Sequence, residues 1–293
     1  MSAVGQARDL PLDAHVHTDQ SPDSRVPIDA YAAIAVARGI RELAITDHVD
    51  FEPGDPAYRY IAFDDRERTV RDAAARWADR GLTIRFGAEL TYSRAREADV
   101  RDHLARHRYD FTIGSVHDWP GTPYSRRRIQ RWLAGRTLDE IVAPYFTEVV
   151  AAARSGLFDT IGHLDVVKRY IHPHVAPARL AERPDLYEPA LRALIESGTA
   201  LEVNSSGLDE AVGETYPPGP IVARFRALGG RGVTTGSDAH ARRWLAGGLE
   251  EAYAIVAAAG FGDLAFGRGP GGRRVELPGR FAGRGEPVTA LGG

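Results

Sequence analysis

Short apolar runs alternate along the chain with longer segments that have the periodicity of amphipathic helices. Seven of these runs, each bounded by turn residues, predict β-strands: Leu10–Val16, Arg41–Thr46, Thr83–Ala88, Asp110–Val116, Phe158–Gly162, Thr199–Val203 and Gly232–Gly236. The intervening and following segments predict helices: Ile28–Arg38, Arg66–Arg80, Leu138–Arg154, Tyr187–Glu196, Ile221–Leu228 and Gly247–Ala259. Repeated alternation of strand and helix favours a parallel sheet, and the chain length suits a closed barrel. The sequence therefore predicts an α/β fold built on a seven-stranded barrel.

The last part of the chain differs in composition from the rest. From Phe266 onward it is dense in glycine, proline and arginine. Such composition is typical of irregular or disordered segments. We therefore expect one barrel domain over residues 1–265 and an irregular tail over residues 266–293.

Composition and charge exclude several kinds of site and partner. The chain has 293 residues, 43% of them hydrophobic and 26% charged, which is ordinary for a globular protein. It has no cysteine, so any metal must be bound by imidazole and carboxylate groups. A net charge of −3 argues against a surface that coats nucleic acid. No run is apolar enough for a membrane span, and the first residues lack the features of a signal peptide, so we expect a cytoplasmic protein without membrane association.

Every predicted strand delivers polar side chains at its carboxyl end. They are His15 and His17, Asp47 and His48, Glu89, His117, His163 and Asp165, Asn204, and Asp238 and His240. In a parallel barrel all carboxyl ends lie on one face, so these residues become neighbours. The two imidazoles of an H-x-H pair point to the same side of a strand, because side chains alternate with a period of two. Six of the ten histidines lie at strand ends, and this concentration predicts a metal site on that face.

Other polar residues have a more ordinary interpretation. Asp13 and Asp47 lie close to predicted ligands, and we interpret them as acceptors that orient imidazoles. Four histidines lie away from the strand ends: His103, His107, His172 and His174. The first two are spaced i,i+4 on a predicted helix and are interpreted as facing solvent, and the other two as part of an exposed proline-containing loop.

Several motifs together resemble one family. DAHVH, ITDH, GAEL, GSVH, GHLDVVKRY, EVNSSGL and TGSDAH, in this order and spacing, resemble the PHP (polymerase and histidinol phosphatase) family, and most closely its histidinol-phosphate phosphatase branch. The similarity runs from about Leu12 to about Gly260. The resemblance implies a distorted seven-stranded (β/α) TIM-like barrel that binds two or three divalent ions. Histidine and carboxylate ligands are compatible with zinc, manganese or iron.

The resemblance also implies a ligand set. The first ion would be bound by His15, His17, Glu89 and Asp238, the second by Glu89, His117 and His163, and the third by Asp23, His48 and His240. Asp23 stands where some members have histidine, so it makes the third site harder in character.

The implied reaction is hydrolysis of a small phosphomonoester by metal-activated hydroxide, with histidinol phosphate as the best single candidate. Glu89 would bridge two ions, and Asp165 is one candidate for the proton donor to the leaving group. Lys168 is the only lysine among 37 basic residues, and with Arg169 it follows the fifth predicted strand, where both would bind phosphate. Lys168 is also predicted to be a catalytic residue, together with Glu89 and Asp165. Asp209 departs from the branch, which usually has a cation nearby. We therefore expect histidinol phosphate either to be processed poorly or to be bound with the help of another arginine, for which Arg242 and Arg243 are the nearest candidates.

Alternative functions remain open at this point. A nuclease or nucleotide phosphatase of the same family is the nearest, and an amidohydrolase is less favoured because His117 stands where those enzymes often carry a bridging lysine. A metal-binding protein without catalysis is the third. The segment Trp119–Arg128 is either a lid or a solvated loop. The sequence does not determine which metal is bound, which alcohol forms the phosphate ester or how many chains associate.

Overall fold

The computed structural model describes residues 9–117, 132–268 and 272–281. The predicted lid or solvated loop, Trp119–Arg128, lies outside these ranges. None of the helices within them is both long and apolar enough to cross a membrane.

Within the described ranges, eight parallel strands form the central sheet. They are β1 (Asp13–Val16), β2 (Glu42–Ile45), β3 (His48–Val49), β4 (Thr83–Thr91), β5 (Phe111–Ser115), β6 (Thr160–Ile161), β7 (Ala200–Asn204) and β8 (Val233–Gly236). Seven of them follow one another in the order β1-β2-β4-β5-β6-β7-β8, and the short β3 pairs with β4 beyond the end of β2. Past the end of β8, Val16 and Ala239 form a parallel bridge that brings the first and last strands together. The predicted seven-stranded barrel is therefore confirmed, in a nearly closed form.

Helices follow most strands and cover the outside of the sheet. They are α1 (Ile28–Arg38), α2 (Phe63–Ala78), α3 (Glu97–Arg106), α4 (Leu138–Ser155), α5 (Val167–Ile171), α6 (Ala178–Ala181), α7 (Pro184–Ser197), α8 (Gly219–Ala227) and α9 (Leu249–Ala258). Single 3₁₀ turns occur at Arg94–Arg96, Ser206–Asp209 and Arg242–Trp244. The six predicted helices are all present, and α3 is the helix expected to carry His103. In contrast, α5 and α6 were not predicted because each is too short to establish a helical period.

The boundaries of α4 show why local sequence predicted the helices well. Thr137 accepts a hydrogen bond from the backbone N–H of Glu140, whose side chain accepts one from the backbone N–H of Thr137. This reciprocal capping box satisfies two amide groups that a helix start leaves without partners. The helix ends at Gly156, whose φ of 62° is readily adopted only by glycine. Both signals are local, so they could be identified without knowledge of the fold.

Strands near the site are buried on both faces, which distinguishes this sheet from a half-exposed one. On β7, Leu201 and Val203 are fully buried, and so are Glu202 and Asn204, which alternate with them. The apolar face packs in the core, where burial of one leucine or valine contributes about 1.5–3 kcal/mol. The polar face points to the barrel interior, where each charge needs a partner.

The C-terminal region corrects the sequence-based expectation. The tail predicted to be irregular from residue 266 contains β10 (Arg273–Glu276), which pairs antiparallel with β9 (Asp263–Phe266). The prediction is wrong for this part because Val275 pairs with Leu264, and Leu277 and Phe281 are buried on the barrel. The proposed boundary after residue 265 falls inside β9, while residues 269–271 and 282–293 lie outside the described ranges.

Candidate metal centre

The nine predicted metal ligands converge at the carboxyl ends of the strands. Eight of them lie in a strand or within a few residues of its end, and the ninth, Asp23, lies on the loop between β1 and α1. Within the described residues, ligand atoms of seven of the nine form three overlapping groups in which every atom lies within 4.8 Å of the others: His15, His17 and Glu89; His48, Glu89 and His117; and His17, Asp23, His48 and His240.

Glu89 lies at the centre of this cluster. Its Oε1 atom is 2.9 Å from His163 Nε2 and 3.2 Å from His117 Nε2. Its Oε2 atom faces the other side, 2.9 Å from His48 Nδ1, 3.4 Å from His17 Nε2 and 3.5 Å from His15 Nε2. The two oxygens of one carboxylate therefore face two separate sets of imidazoles, which is the geometry a bridging carboxylate needs.

Asp238 completes the group around the H-x-H pair. Its Oδ1 atom is 3.2 Å from His17 Nε2 and 3.6 Å from His15 Nε2. Asp23 closes the third group, because its Oδ2 atom is 3.2 Å from His48 Nε2 and 3.1 Å from His240 Nε2.

Hydrogen bonds on the far sides of the rings test whether these residues fit a metal. His15 Nδ1 donates to Glu202 Oε1 at 2.7 Å, and His17 Nδ1 lies 3.3 Å from Ser21 Oγ. The Ser21 hydroxyl donates its own proton to Asp47, so it accepts from His17. With both Nδ1 atoms as donors, the two Nε2 atoms face each other at 3.0 Å, a distance that requires a proton or a cation between them. The donor set fits a divalent cation.

The same reasoning applies to the third group. His240 Nδ1 lies 2.9 Å from the backbone carbonyl of Asp238, which can only accept, so this nitrogen carries a proton. The opposite nitrogen, Nε2, then faces the carboxylate of Asp23. A backbone carbonyl or carboxylate behind the ring is the usual arrangement that aims a histidine at a metal.

Charge in the cluster also favours a bound cation. Although burial opposes it, the imidazoles of His117 and His15 hold the pKa of Glu89 well below its usual range, so this carboxylate is ionised. Burial lowers the pKa of His17 to about 3, which leaves it neutral and able to act as a ligand. Against the effect of burial, the carboxylates of Glu202 and Asp238 raise the pKa of His15 well above its usual value, which reveals an excess of negative charge.

Asp13 and Asp47 have different hydrogen-bond partners. Asp13 accepts from the backbone N–H of Ser237 at 2.8 Å and from its hydroxyl at 2.6 Å, and it contacts no imidazole among the described residues, so its predicted role as an imidazole acceptor is wrong. It fixes the backbone immediately before Asp238, and its burial raises its pKa to about 6. Asp47 does act on an imidazole, but through the hydroxyl of Ser21.

Glu202 was missed by the sequence interpretation. Its carboxylate is fully buried, accepts from His15 Nδ1 at 2.7 Å, and accepts from the backbone N–H of His163 at 2.6 Å. A signal was available, since Glu202 is the only charged residue in the run Ala200–Val203. An apolar strand with one acidic residue indicates a buried carboxylate with a specific partner.

Asp165 and Lys168, which were predicted to be catalytic together with Glu89, lie in a buried network of ion pairs and hydrogen bonds. Lys168 is 1% exposed, and its Nζ atom is 2.8 Å from Asp165 Oδ2 and 2.5 Å from Glu214 Oε1. It also donates to the backbone carbonyl of Thr215. Burial raises the pKa of Asp165 despite the neighbouring ammonium group. Within the described ranges, no hydrogen bond or ion pair joins either side chain to the nine ligand residues, and their catalytic roles stay predictions.

Arg169 is the predicted phosphate-binding residue that lies beside the metal cluster. It lines a cavity of about 290 Å³ together with Asp23, Asp238 and His240. Its guanidinium donates to Glu210 Oε2 at 3.0 Å and to the hydroxyl of Ser206 at 3.3 Å.

The other predicted phosphate-binding arginines are positioned differently. Arg242 and Arg243 are exposed on the 3₁₀ turn after β8, and Arg243 stacks over Trp244. Neither lines the cavity of Arg169. Their predicted contact with phosphate stays a prediction.

His103 and His107 are half-buried and pack on aromatic rings, so the expectation that they face solvent holds only in part. His103 Nε2 is 2.9 Å from the hydroxyl of Tyr109, and the ring of His107 stacks on Phe63 with 4.1 Å between centroids. Burial lowers the pKa of His103 to about 4. His174 is exposed, as the loop interpretation predicted, and His172 is half-buried. None of these four histidines belongs to a group of potential ligands within the described ranges.

Comparison with known proteins identifies the family. The model of the PHP domain matches residues 13–206, which include most of the predicted ligands. The chain belongs to the PHP domain family. The resemblance predicted from the motifs is thereby confirmed.

Relatives of this PHP domain carry phosphatase names. It is 30% identical over 233 residues to a protein of Deinococcus radiodurans named probable histidinol-phosphatase, covering 78% of this chain and 85% of the relative. It is 26% identical over 264 residues to the histidinol-phosphatase of Lactococcus lactis, covering 87% of this chain and 93% of the relative.

A solved structure shares the fold. The histidinol phosphate phosphatase of Lactococcus lactis, complexed with zinc, L-histidinol and phosphate, matches with a TM-score of 0.73 and 23% sequence identity. The match covers 88% of this chain and 96% of the other. At this level of identity the likeness supports the same distorted barrel.

Proposed function

We propose that this PHP domain is a metal-dependent phosphoesterase that hydrolyses a small phosphomonoester, with histidinol phosphate as the first candidate. The observation that carries the proposal is the position of Glu89, because its Oε1 atom faces two imidazoles and its Oε2 atom faces three others, at 2.9–3.5 Å. The names of the relatives and the ligands in the Lactococcus lactis structure support the same reaction.

The three overlapping groups would hold two or three divalent ions, and their nitrogen and oxygen donors suit zinc, manganese or iron. His15, His17, Glu89 and Asp238 would bind the first, Glu89, His117 and His163 the second, and Asp23, His48 and His240 the third. When bound, divalent cations lower the pKa of a water molecule and neutralise the charge of a phosphate ester.

The protein's own side chains orient the predicted ligands and place an arginine beside them. Glu89 and Asp238 supply buried negative charge, and the hydrogen bonds behind His15, His17 and His240 aim a ring nitrogen of each at the centre. Arg169 lies in the cavity beside Asp238, where it would donate to a phosphate oxygen. Although burial opposes its charge, the carboxylates of Asp238 and Glu210 raise its pKa, so it remains cationic.

The test combines elemental analysis with a substrate panel. Purified protein would be assayed with histidinol phosphate, p-nitrophenyl phosphate, a nucleoside monophosphate, a phosphodiester, a single-stranded oligonucleotide and a dipeptide amide. We expect zinc, manganese or iron in the protein and turnover of monoesters, fastest for histidinol phosphate. Turnover of the oligonucleotide or the amide in preference to every monoester would contradict the proposal and favour a nuclease or an amidohydrolase.

A further inference from the structure

We propose that Glu202 is a positioning residue that holds one ligand of each of two neighbouring metal ions, His15 and His163, in a fixed relation. This inference rests on the proposed metal centre and adds a residue outside its ligand set. The two oxygens of Glu202 accept hydrogen bonds from different residues: Oε1 accepts from the His15 ring and Oε2 accepts from the His163 backbone.

The surroundings of Glu202 explain why the carboxylate is there. It is fully buried on β7, and within the described part of the chain it forms an ion pair with no lysine or arginine. A buried carboxylate without partners is strongly unfavourable, so its hydrogen bonds must compensate. Its partners are His15 Nδ1 at 2.7 Å, the His163 N–H at 2.6 Å and Asn204 Nδ2 at 3.2 Å.

The bond to His15 sets which ring nitrogen can bind a cation. Because Nδ1 donates to Glu202, the opposite nitrogen, Nε2, is directed at His17, Glu89 and Asp238. Carboxylates behind metal-binding histidines commonly have this function, and they also increase the basicity of the ring.

The bond to His163 acts on the backbone. His163 has a φ of 22°, an uncommon value for a residue other than glycine. Its N–H donates to Oε2 of Glu202, and this hydrogen bond stabilises the turn after β6. His163 Nε2 then lies 2.9 Å from Glu89 Oε1, whereas its Nδ1 has no hydrogen-bond partner among the described residues. His163 is therefore held by the hydrogen bond from its backbone N–H to Glu202, and not by a hydrogen bond to its imidazole ring.

Gly236 on the neighbouring strand β8 leaves space for His15 and Glu202. A Cβ atom on Gly236 of β8 would lie 2.2 Å from His15 Cβ and 2.9 Å from Glu202 Oε1. A side chain at this position would displace His15 or Glu202. Glycine at position 236 therefore leaves room for the hydrogen bond between His15 and Glu202.

The first experiment measures zinc binding by the full-length chain, without substrate, by competition with a chelator. In Glu202→Gln the amide has one acceptor oxygen in place of two, so one of the two bonds is lost. We expect zinc affinity to fall by about 10–100-fold. Glu148→Gln is the matched control, since Glu148 is also buried and accepts from a backbone N–H and a side chain, those of Arg94, away from the cluster. Wild-type zinc affinity in folded Glu202→Gln would overturn the proposal.

A second measurement needs no change at Glu202. In the zinc-loaded protein with ¹⁵N-labelled histidine, long-range ¹H–¹⁵N spectra report which ring nitrogen carries the proton, with His15 assigned from a His15→Gln sample. We expect a proton on Nδ1 of His15, and a proton on Nε2 would refute the proposal even if Glu202→Gln failed to fold. If the wild type binds zinc but hydrolyses no phosphoester, the proposed function fails and the role of Glu202 is unaffected.

Discussion

His48 and Glu89 are partners in the register between β3 and β4, and His48 Nδ1 lies 2.9 Å from Glu89 Oε2. β3 has only two residues, and it pairs with β4 beyond the end of β2. This offset carries His48 toward the centre, so its Nδ1 faces Glu89 and its Nε2 faces Asp23. His48 therefore lies between two of the three ligand groups, although the resemblance assigned it to the third alone.

The first prediction concerns Glu89. Glu89→Gln keeps the shape of the side chain but removes the charge shared by the ligand groups, so we expect lower metal content and a loss of turnover of at least about 100-fold. Elemental analysis, steady-state kinetics and circular dichroism check this together. Glu67→Gln, on the exposed part of α2, is the control. A folded Glu89→Gln protein with normal metal content would contradict the bridging role.

The second prediction is crystallographic. In crystals grown with zinc or manganese we expect at least two ions within about 4 Å of each other, with Glu89 between them. Anomalous scattering would locate the ions independently of the ligands. Glu89 turned away from every ion would count against the assignment.

The third prediction compares the arginines. Arg169 lines the cavity beside Asp238, whereas Arg242 and Arg243 are exposed. A charge-assisted hydrogen bond to an anion contributes roughly 1.5–3 kcal/mol, so Arg169→Gln should lower kcat/KM for the best phosphomonoester by about one to two orders of magnitude. Equal losses in Arg243→Gln would show that phosphate approaches from the other side.

The fourth prediction separates structure from phosphate binding at Lys168. Lys168→Met removes the cation between Asp165 and Glu214 and leaves two carboxylates without compensation. Breaking a buried pair in this way costs about 3–5 kcal/mol, which urea denaturation would measure as a lower free energy of unfolding. If instead stability were unchanged and KM rose, Lys168 would be a phosphate ligand, as the sequence suggested.

The fifth prediction concerns pH. His103 has a folded pKa of about 4, below the value of about 6.5 for a free imidazole, so the unfolded chain binds more protons between these values. Its contribution to stability is complete above pH 6.5 and is lost as the pH falls toward 4. The free energy of unfolding should therefore decrease less between pH 7 and pH 5 in His103→Gln than in the wild type. Metal content and turnover should not change, and a fall in both would require His103 to be reassigned to the site.

Sequence alone predicted which residues converge at the candidate metal centre, because these residues are defined by local position. His15, Glu89 and Asp238 each lie at or near the end of an apolar run, and the parallel topology brings those ends together whatever the details of packing. The barrel followed from the same alternation of strand and helix.

What the sequence did not predict depends on contacts between distant residues. Glu202 was missed because its partners, His15 and His163, are 187 and 39 positions away. The role of Asp13 was misassigned because nearness in sequence to His15 says nothing about Ser237, which it binds. The β9–β10 hairpin was missed because composition masked a short strand that gains its partner only in the folded chain.

The burial of Lys168 has a consequence for chemical labelling. It is the single lysine of the chain, and its ammonium group is enclosed by Asp165, Glu214 and Thr215. Amine-directed reagents therefore find no lysine side chain on the surface of the folded protein. With no cysteine either, one fluorophore added through an activated ester at neutral pH would attach at the α-amino group. A Lys168 that became reactive would report unfolding of the region that follows β6.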